Sequence, residues 1–193
     1  MEAGAKAIHA IDSNHPVSTA HGEVPTPDVI LRCDFVDVWG MNMYRWDNLK
    51  GASGKTAFEQ WKAISAKPMY ISETGADAYN MILGKEDQES QKKAIEKLWW
   101  VINQNSSIFN NNNVCLGCTF MSWIDEWWKS GNPNTQETSG FSNSGVPYDG
   151  YANEEWWGFV TAYRTPRQAY WRIRAAWNTI IPVPLDLSKP LDG

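Results

Sequence analysis

Lys67-Pro-Met-Tyr-Ile-Ser-Glu-Thr-Gly75 is the stretch on which the reading of this sequence turns. Its centre, Met69–Ser72, is apolar and short, bounded by Pro68 before it and Gly75 after it, as a buried strand is. A single carboxylate, Glu73, follows the apolar run. In parallel α/β folds, reactive groups collect at the C-terminal ends of strands, where the connecting loops converge. Glu73 stands at such an end.

On both sides the sequence alternates helical and strand-like segments. Upstream, residues 2–11 form an amphipathic helical pattern, and Asp12-Ser-Asn-His-Pro16 makes a turn. Val17–Ala20 is a short strand, and a loop with Pro25 and Pro27 follows. Residues 35–43 show little polar alternation, which predicts a strand covered on both faces. Residues 55–65 are helical, with Phe58, Trp61 and Ile64 three apart. Downstream, a long helix spans 86–104, with Ala94, Leu98, Val101 and Ile102 on one stripe. Val114–Trp123 is another buried-type strand, and a last helix covers 166–178. Strands separated by helical connections imply a parallel sheet. The expected fold is α/β, over residues 1–181, with Pro182, Pro184 and Pro190 marking an extended tail over 182–193.

Four strand ends then carry polar or aromatic groups. The first has His21 and Glu23, the second Asn42 and Tyr44, the third Glu73, and the fourth Trp123, Asp125 and Glu126. Residues 125–155, rich in Gly, Ser, Asn and Pro, are too long for a plain connection and read as a functional loop. Gly-rich phosphate loops and a GxSxG elbow are both missing, so nucleotide-binding and serine-hydrolase readings lack their signatures.

Composition narrows the partners. The 193 residues carry a formal net charge of −5, and the basic residues are scattered singly. Neither a nucleic-acid backbone nor an anionic membrane has a basic patch to meet. Twelve tryptophans are many, and flat indole faces suit both core packing and stacking on sugar rings. Cys33, Cys115 and Cys118 are an odd set. Strand alternation puts the last two on opposite faces, and no second pair completes a metal site, so neither metal nor cofactor is expected. Asn105-Ser-Ser107 is a glycosylation sequon by pattern. The start, Met1–Ile11, lacks the cationic and apolar regions of a signal peptide. The expected location is cytoplasmic for the chain as it stands, and secreted if an upstream part carries a signal.

The chain resembles the glycoside hydrolases of clan A, in particular the family 2-type barrels. The stretches that carry the resemblance are Asp12-Ser-Asn-His-Pro-Val17, Val36-Asp-Val-Trp-Gly-Met-Asn-Met-Tyr44, Pro68–Gly75, Phe120-Met-Ser-Trp-Ile-Asp-Glu-Trp-Trp-Lys129, Asn153-Glu-Glu-Trp-Trp-Gly158 and Arg164-Thr-Pro-Arg-Gln-Ala-Tyr170. The resemblance implies a truncated TIM barrel made of about the last four β/α units. It implies a retaining β-glycosidase acting on a gluco- or galacto-configured β-linked saccharide. Glu73 is then the nucleophile, Tyr44 the tyrosine that hydrogen-bonds it, and Trp123 the floor of the sugar site. His21, Asn42, Trp46, Asp125, Glu126 and Trp127 are substrate contacts.

The family's acid/base, a Glu in an Asn-Glu pair on the fourth strand, has no counterpart here. A retaining mechanism needs that second carboxylate about 5–5.5 Å from the first. Glu23 is the first candidate, on the strand beside the missing one; Asp125, Glu126, Glu137 and Glu154 are alternatives. A sugar-binding remnant and a fragment that needs its N-terminal half are the competing readings. Half a barrel also leaves two sheet edges and an apolar interior uncovered, which predicts a homodimer or higher homo-oligomer.

Overall fold

The computed structural model describes residues 1–179. Along the chain run α1 (Glu2–Ile11), α2 (Pro27–Leu31), β1 (Trp39–Asn42), α3 (Ala57–Lys62), β2 (Met69–Thr74), β3 (Tyr79–Asn80), β4 (Lys85–Glu86), α4 (Gln88–Gln104), β5 (Cys115–Phe120), β6 (Phe141–Ser142), β7 (Tyr151–Ala152) and α5 (Gln168–Asn178). The expected helices lie within a few residues of their predicted bounds. Thr56 and Glu59 close α3 with a reciprocal capping box, and the Asp87 side chain caps α4. The expected tail at 182–193 and the boundary at 181 lie outside the described residues.

The centre is a parallel three-stranded sheet in the order β1-β2-β5. Residues 17–21 run parallel to β1 through bridges at Ser18–Val38 and His21–Met41. That segment forms bridges rather than the full strand expected. Gly40 allows its approach, because a Cβ there would stand 2.0 Å from the Thr19 carbonyl oxygen. The sheet does not close into a barrel. What is present is a small α/β domain, with neighbours in the sheet following chain order.

Among the described residues, one face of the sheet is covered, not both. Trp39, Met41, Met69, Ile71 and Cys115 share a buried cluster with Ala5 of α1, Ile30 of α2, Phe58 and Trp61 of α3, and Leu98 and Ile102 of α4. On the opposite face Asn42, Tyr70 and Ser72 are half-buried, and Thr119 is exposed. The apolar run at 35–43 therefore has a different cause. Trp39, Met41 and Met43 face the helices, Gly40 makes room for Thr19 and Tyr70, and Phe35 precedes the strand and is exposed. The second core cluster joins Ala94 and Ile95 of α4 to Ala169 and Ile173 of α5.

The two C-terminal cysteines correct a second expectation. Met69 pairs with Cys115 and Ile71 with Cys118, so three steps on β5 match two on β2. The extra residue is a bulge, with Gly117 at φ 141°, a value that suits glycine. The bulge turns both thiols toward the helix-covered core rather than to opposite faces. Burial pushes Cys115 up to about 11 and Cys118 up to about 12, so both stay protonated. Asn105 of the sequon donates its side-chain amide to the Val101 carbonyl at 2.8 Å, closing the end of α4.

Candidate active site

The C-terminal ends of β1 and β2 meet through Tyr44 and Glu73. Glu73 precedes the last residue of β2, and its carbonyl accepts from Met43 N–H at 2.7 Å. This places Tyr44 directly across from it. The Tyr44 hydroxyl donates to Glu73 Oε2 at 3.1 Å and also lies 3.1 Å from Met121 Sδ. Burial pushes the Tyr44 phenol well above its usual range, followed by the charge of Glu73 and the hydrogen bond to it. It therefore remains a donor.

Glu73 lies in a cavity of about 270 Å³ lined by Tyr44, Met121, Lys129, Asn143, Glu154 and Trp157. A second space of about 380 Å³ shares Glu73, Met121 and Lys129 and adds Ser122, Trp123, Glu126 and Trp128. Trp123, which lines this space with Glu73, is 60% exposed. Lys129 reaches Glu126 at 2.8 Å and Glu154 at 3.7 Å. Trp157 stands edge-on to Tyr44, with ring centroids 5.4 Å apart. Gly75 lets the loop from β2 pass close by, since a Cβ there would lie 2.3 Å from the Met121 carbonyl oxygen.

The residues named from sequence divide into three groups. Tyr44, Trp123, Glu126 and Glu154 share the space around Glu73, and Asn42 is one step removed, accepting from Ser72 Oγ at 2.8 Å. Glu23 and Trp46 line an adjoining cleft of about 590 Å³ that also touches Tyr44. Glu23 is gripped there by Arg45, whose Nε and Nη2 donate to its two carboxylate oxygens at 2.9 and 2.5 Å. Both oxygens are engaged, and Glu23 does not line the cavity of Glu73. His21 packs edge-on against Trp39, with its Nδ1 2.6 Å from the Glu23 carbonyl oxygen.

Asp125 and Trp127 are not brought into the cavity. Asp125 is buried, and Arg167 donates to both its oxygens at 2.6 and 2.7 Å. Gly158 N–H and Gln136 Nε2 add donors at 3.0 Å each. Arg167 also donates to the Gly158 carbonyl and to Glu86. The pair ties the long 125–155 loop to the start of α5, and the burial of two charges is matched by hydrogen bonds to both Asp125 oxygens and from all three guanidinium nitrogens. Trp127 packs edge-on against Tyr163. Glu137 turns back to its own loop, its Oε2 accepting from Ser139 and Gly140 N–H.

Lys129, Asn143 and Trp157 belong to the cavity and were not singled out from sequence. The Glu126–Lys129 spacing of three residues was a usable signal for the first, as was the Trp-Trp-Gly run for the last. Asn143, within a polar loop, carried none.

No protein-family model matches the chain, and no curated protein matches it. Solved structures do match its fold. The family-2 β-galacturonidase from Eisenbergiella tayi bound to galacturonate is similar at 15% identity and a TM-score of 0.60, over 92% of this chain and 30% of that one. β-D-Glucuronidase from Dictyoglomus thermophilum is similar at 18% identity and 0.60, over 92% and 28%. β-Glucuronidase from Bifidobacterium dentium, complexed with coumarin-3-O-glucuronide, is similar at 20% identity and 0.58, over 93% and 26%. The chain spans less than a third of the length of these solved chains, and its fold is related to that of family-2 glycoside hydrolases.

Proposed function

We propose that this chain is a glycoside-hydrolase domain that cleaves β-glycosides with retention, Glu73 acting as nucleophile. The observation that carries the reading is the Tyr44–Glu73 hydrogen bond at the strand ends, inside a cavity whose neighbouring space Trp123 lines. A carboxylate attacks an anomeric carbon only in its charged form, and a hydrogen-bond donor favours that form. Glu73→Gln is expected to abolish hydrolysis of activated aryl β-glycosides. A 2-fluoro aryl glycoside is expected to label the peptide that contains Glu73; label elsewhere, or none alongside turnover, rejects the role.

In this reading the 17–21 segment, β1, β2 and β5 are the last four strands of a (β/α)8 barrel. The supporting facts are the consecutive strand order and the placement of α1 to α4 on one face. A doubly wound sheet would reverse its order and carry helices on both faces. Glu23 is held by Arg45 in the adjoining cleft, so of the carboxylates named from sequence Glu126 and Glu154 are the ones that share the space around Glu73 and stand as acid/base candidates. Substrates with good leaving groups need little acid assistance and test Glu73 by itself. The uncovered face and the β5 edge are assigned to contact with further barrel strands or with a second copy of the chain.

A sugar-binding role without turnover is the second reading. It is favoured by one observation: Glu23, Asp125 and Glu126 are all engaged by cations, leaving no free second acid among them. Binding of an aryl glycoside with no release of the aryl group supports it.

A further inference from the structure

A cleft of about 590 Å³ lies beside the cavity of Glu73, and the proposed chemistry at that carboxylate leaves it unused. Tyr44 and Asn143 line both spaces, so the two adjoin. The cavity, about 270 Å³, is just under the roughly 300–1,000 Å³ of typical ligand pockets, and the cleft is within that range by itself.

Most of the cleft is built by the loop after β1, and that loop holds a strained conformation. Trp46 and Leu49 have φ of 57° and 56°, in the left-handed region that bulky side chains rarely occupy. Each such residue costs about 1–3 kcal/mol and persists where its surroundings impose it. Leu49 is fully buried, its N–H donating to the Arg45 carbonyl and its own carbonyl accepting from Ala57 N–H. Trp46 N–H donates to the Gly145 carbonyl at 2.7 Å, and a Cβ on Gly145 would stand 2.0 Å from the Tyr44 carbonyl oxygen. Trp46 thus has its backbone held while its side chain stays on the cleft wall, the residue 38% exposed. Core packing does not explain a strained backbone whose indole is left in solvent. Around it stand Asn48, Lys50, Asn143 and Ser144. Asn143 Oδ1 accepts from Gly145 N–H at 2.9 Å, so the side chain has its two N–H donors left to offer. An aromatic among amide, ammonium and hydroxyl groups suits a hydroxylated ring better than a purely apolar one.

We propose that this cleft is a second sugar subsite, in which Trp46 packs against the ring next to the one held at Glu73, so that the chain takes an oligosaccharide. The proposal rests on the glycoside reading of Glu73 only for the identity of the first ring as a sugar. Holding Trp46 in place before the ligand arrives removes the entropy loss of ordering it on binding, which is the use of the strain.

The test is calorimetric titration of the whole chain with methyl β-glucoside and methyl β-galactoside, and with methyl β-cellobioside, β-laminaribioside and β-lactoside. At least one two-ring ligand is expected to bind about tenfold tighter than its one-ring counterpart. Trp46→Ala is expected to remove that gain and leave one-ring binding unchanged, and Trp46→Phe to restore part of it. Trp46→Gly accepts the left-handed φ without strain and is expected to act as Ala does, which separates loss of the ring from loss of the fold. Equal binding of one and two rings, binding of none, or variants that weaken both classes together overturns the proposal. Hydrolysis of aryl β-glycosides is measured separately. If the second ring adds affinity and nothing is hydrolysed, the catalytic reading of Glu73 fails and this one stands; hydrolysis with no gain from a second ring overturns this inference alone.

Discussion

The Tyr44 hydroxyl donates to Glu73 Oε2 across 3.1 Å, joining the end of β1 to the end of β2. The two residues are 29 positions apart, and the parallel register that pairs Asn42 with Glu73 brings them together. Tyr44→Phe keeps the ring, its edge-on contact with Trp157 and the packing, and removes only the donor. A hydrogen bond to a charged group contributes about 1.5–3 kcal/mol. Hydrolysis of an activated aryl β-glycoside is therefore expected to fall roughly tenfold to a hundredfold, with thermal stability nearly unchanged. An unaltered rate would show that the bond does not serve the reacting carboxylate.

Asp125 and Arg167 make the opposite prediction. Each has a side chain 1% exposed, and each is the other's buried counter-ion, with Glu86 a second, more exposed partner of Arg167. Removing one partner leaves a buried charge, at a cost of about 3–5 kcal/mol. Asp125→Ala and Arg167→Ala are each expected to lower the denaturation midpoint strongly. The double variant should lose much less than the sum of the two. Additive losses in a double-mutant cycle would mean that the pair does not act as a unit.

Asp77 should make stability depend on pH. It is fully buried, and burial, then the charge of Asp149, push its carboxyl up to about 8. The folded state thus holds a proton that the unfolded chain releases near pH 4. Between about pH 4 and 8 the unfolded state binds fewer protons, so this group's contribution to stability is lost as pH rises through that window. Urea midpoints are expected to decline from pH 5 to 8 and then level. Asp77→Asn, which keeps an acceptor for Tyr79 N–H, is expected to flatten the slope. An unchanged slope in that variant would assign the pH dependence to other groups.

The exposed β5 edge and the open face of the sheet predict association. Leu116 of β5 is 50% exposed, and next to the strand Trp123 is 60% and Trp177 48% exposed. Together they offer an apolar surface beside unpaired strand groups. Light scattering at micromolar concentration is expected to give a dimer or larger species. A well-folded monomer would mean that the described domain stands without covering this surface.

Much of the chain's plan was readable along the sequence. Met69–Ser72 with Glu73 at its end, the stripes of α4 and the placement of Tyr44 after an apolar run follow from local patterns, because strand and helix periods are set by backbone geometry. Aromatic and acidic residues at strand ends were legible for the same reason. Cys115 and Cys118 were misplaced because strict alternation fails at a bulge, and the bulge depends on how β5 meets β2.

The division between the two kinds of information is sharpest in the 123–129 stretch. Its sequence shows two acids in a row, and nothing local separates Asp125 from Glu126. Tertiary structure separates them, since Arg167 arrives from 42 positions away to engage Asp125 while Glu126 faces Lys129 beside Glu73. Glu23 was assigned by strand order, and the fold paired it with Arg45 instead. Sequence by itself determined where the longer helices and the three strands of the central sheet lie, because these obey short-range geometry. Which carboxylate meets a guanidinium, an ammonium or an open cavity was decided only by tertiary structure, because charge pairing depends on distances between segments far apart in the chain.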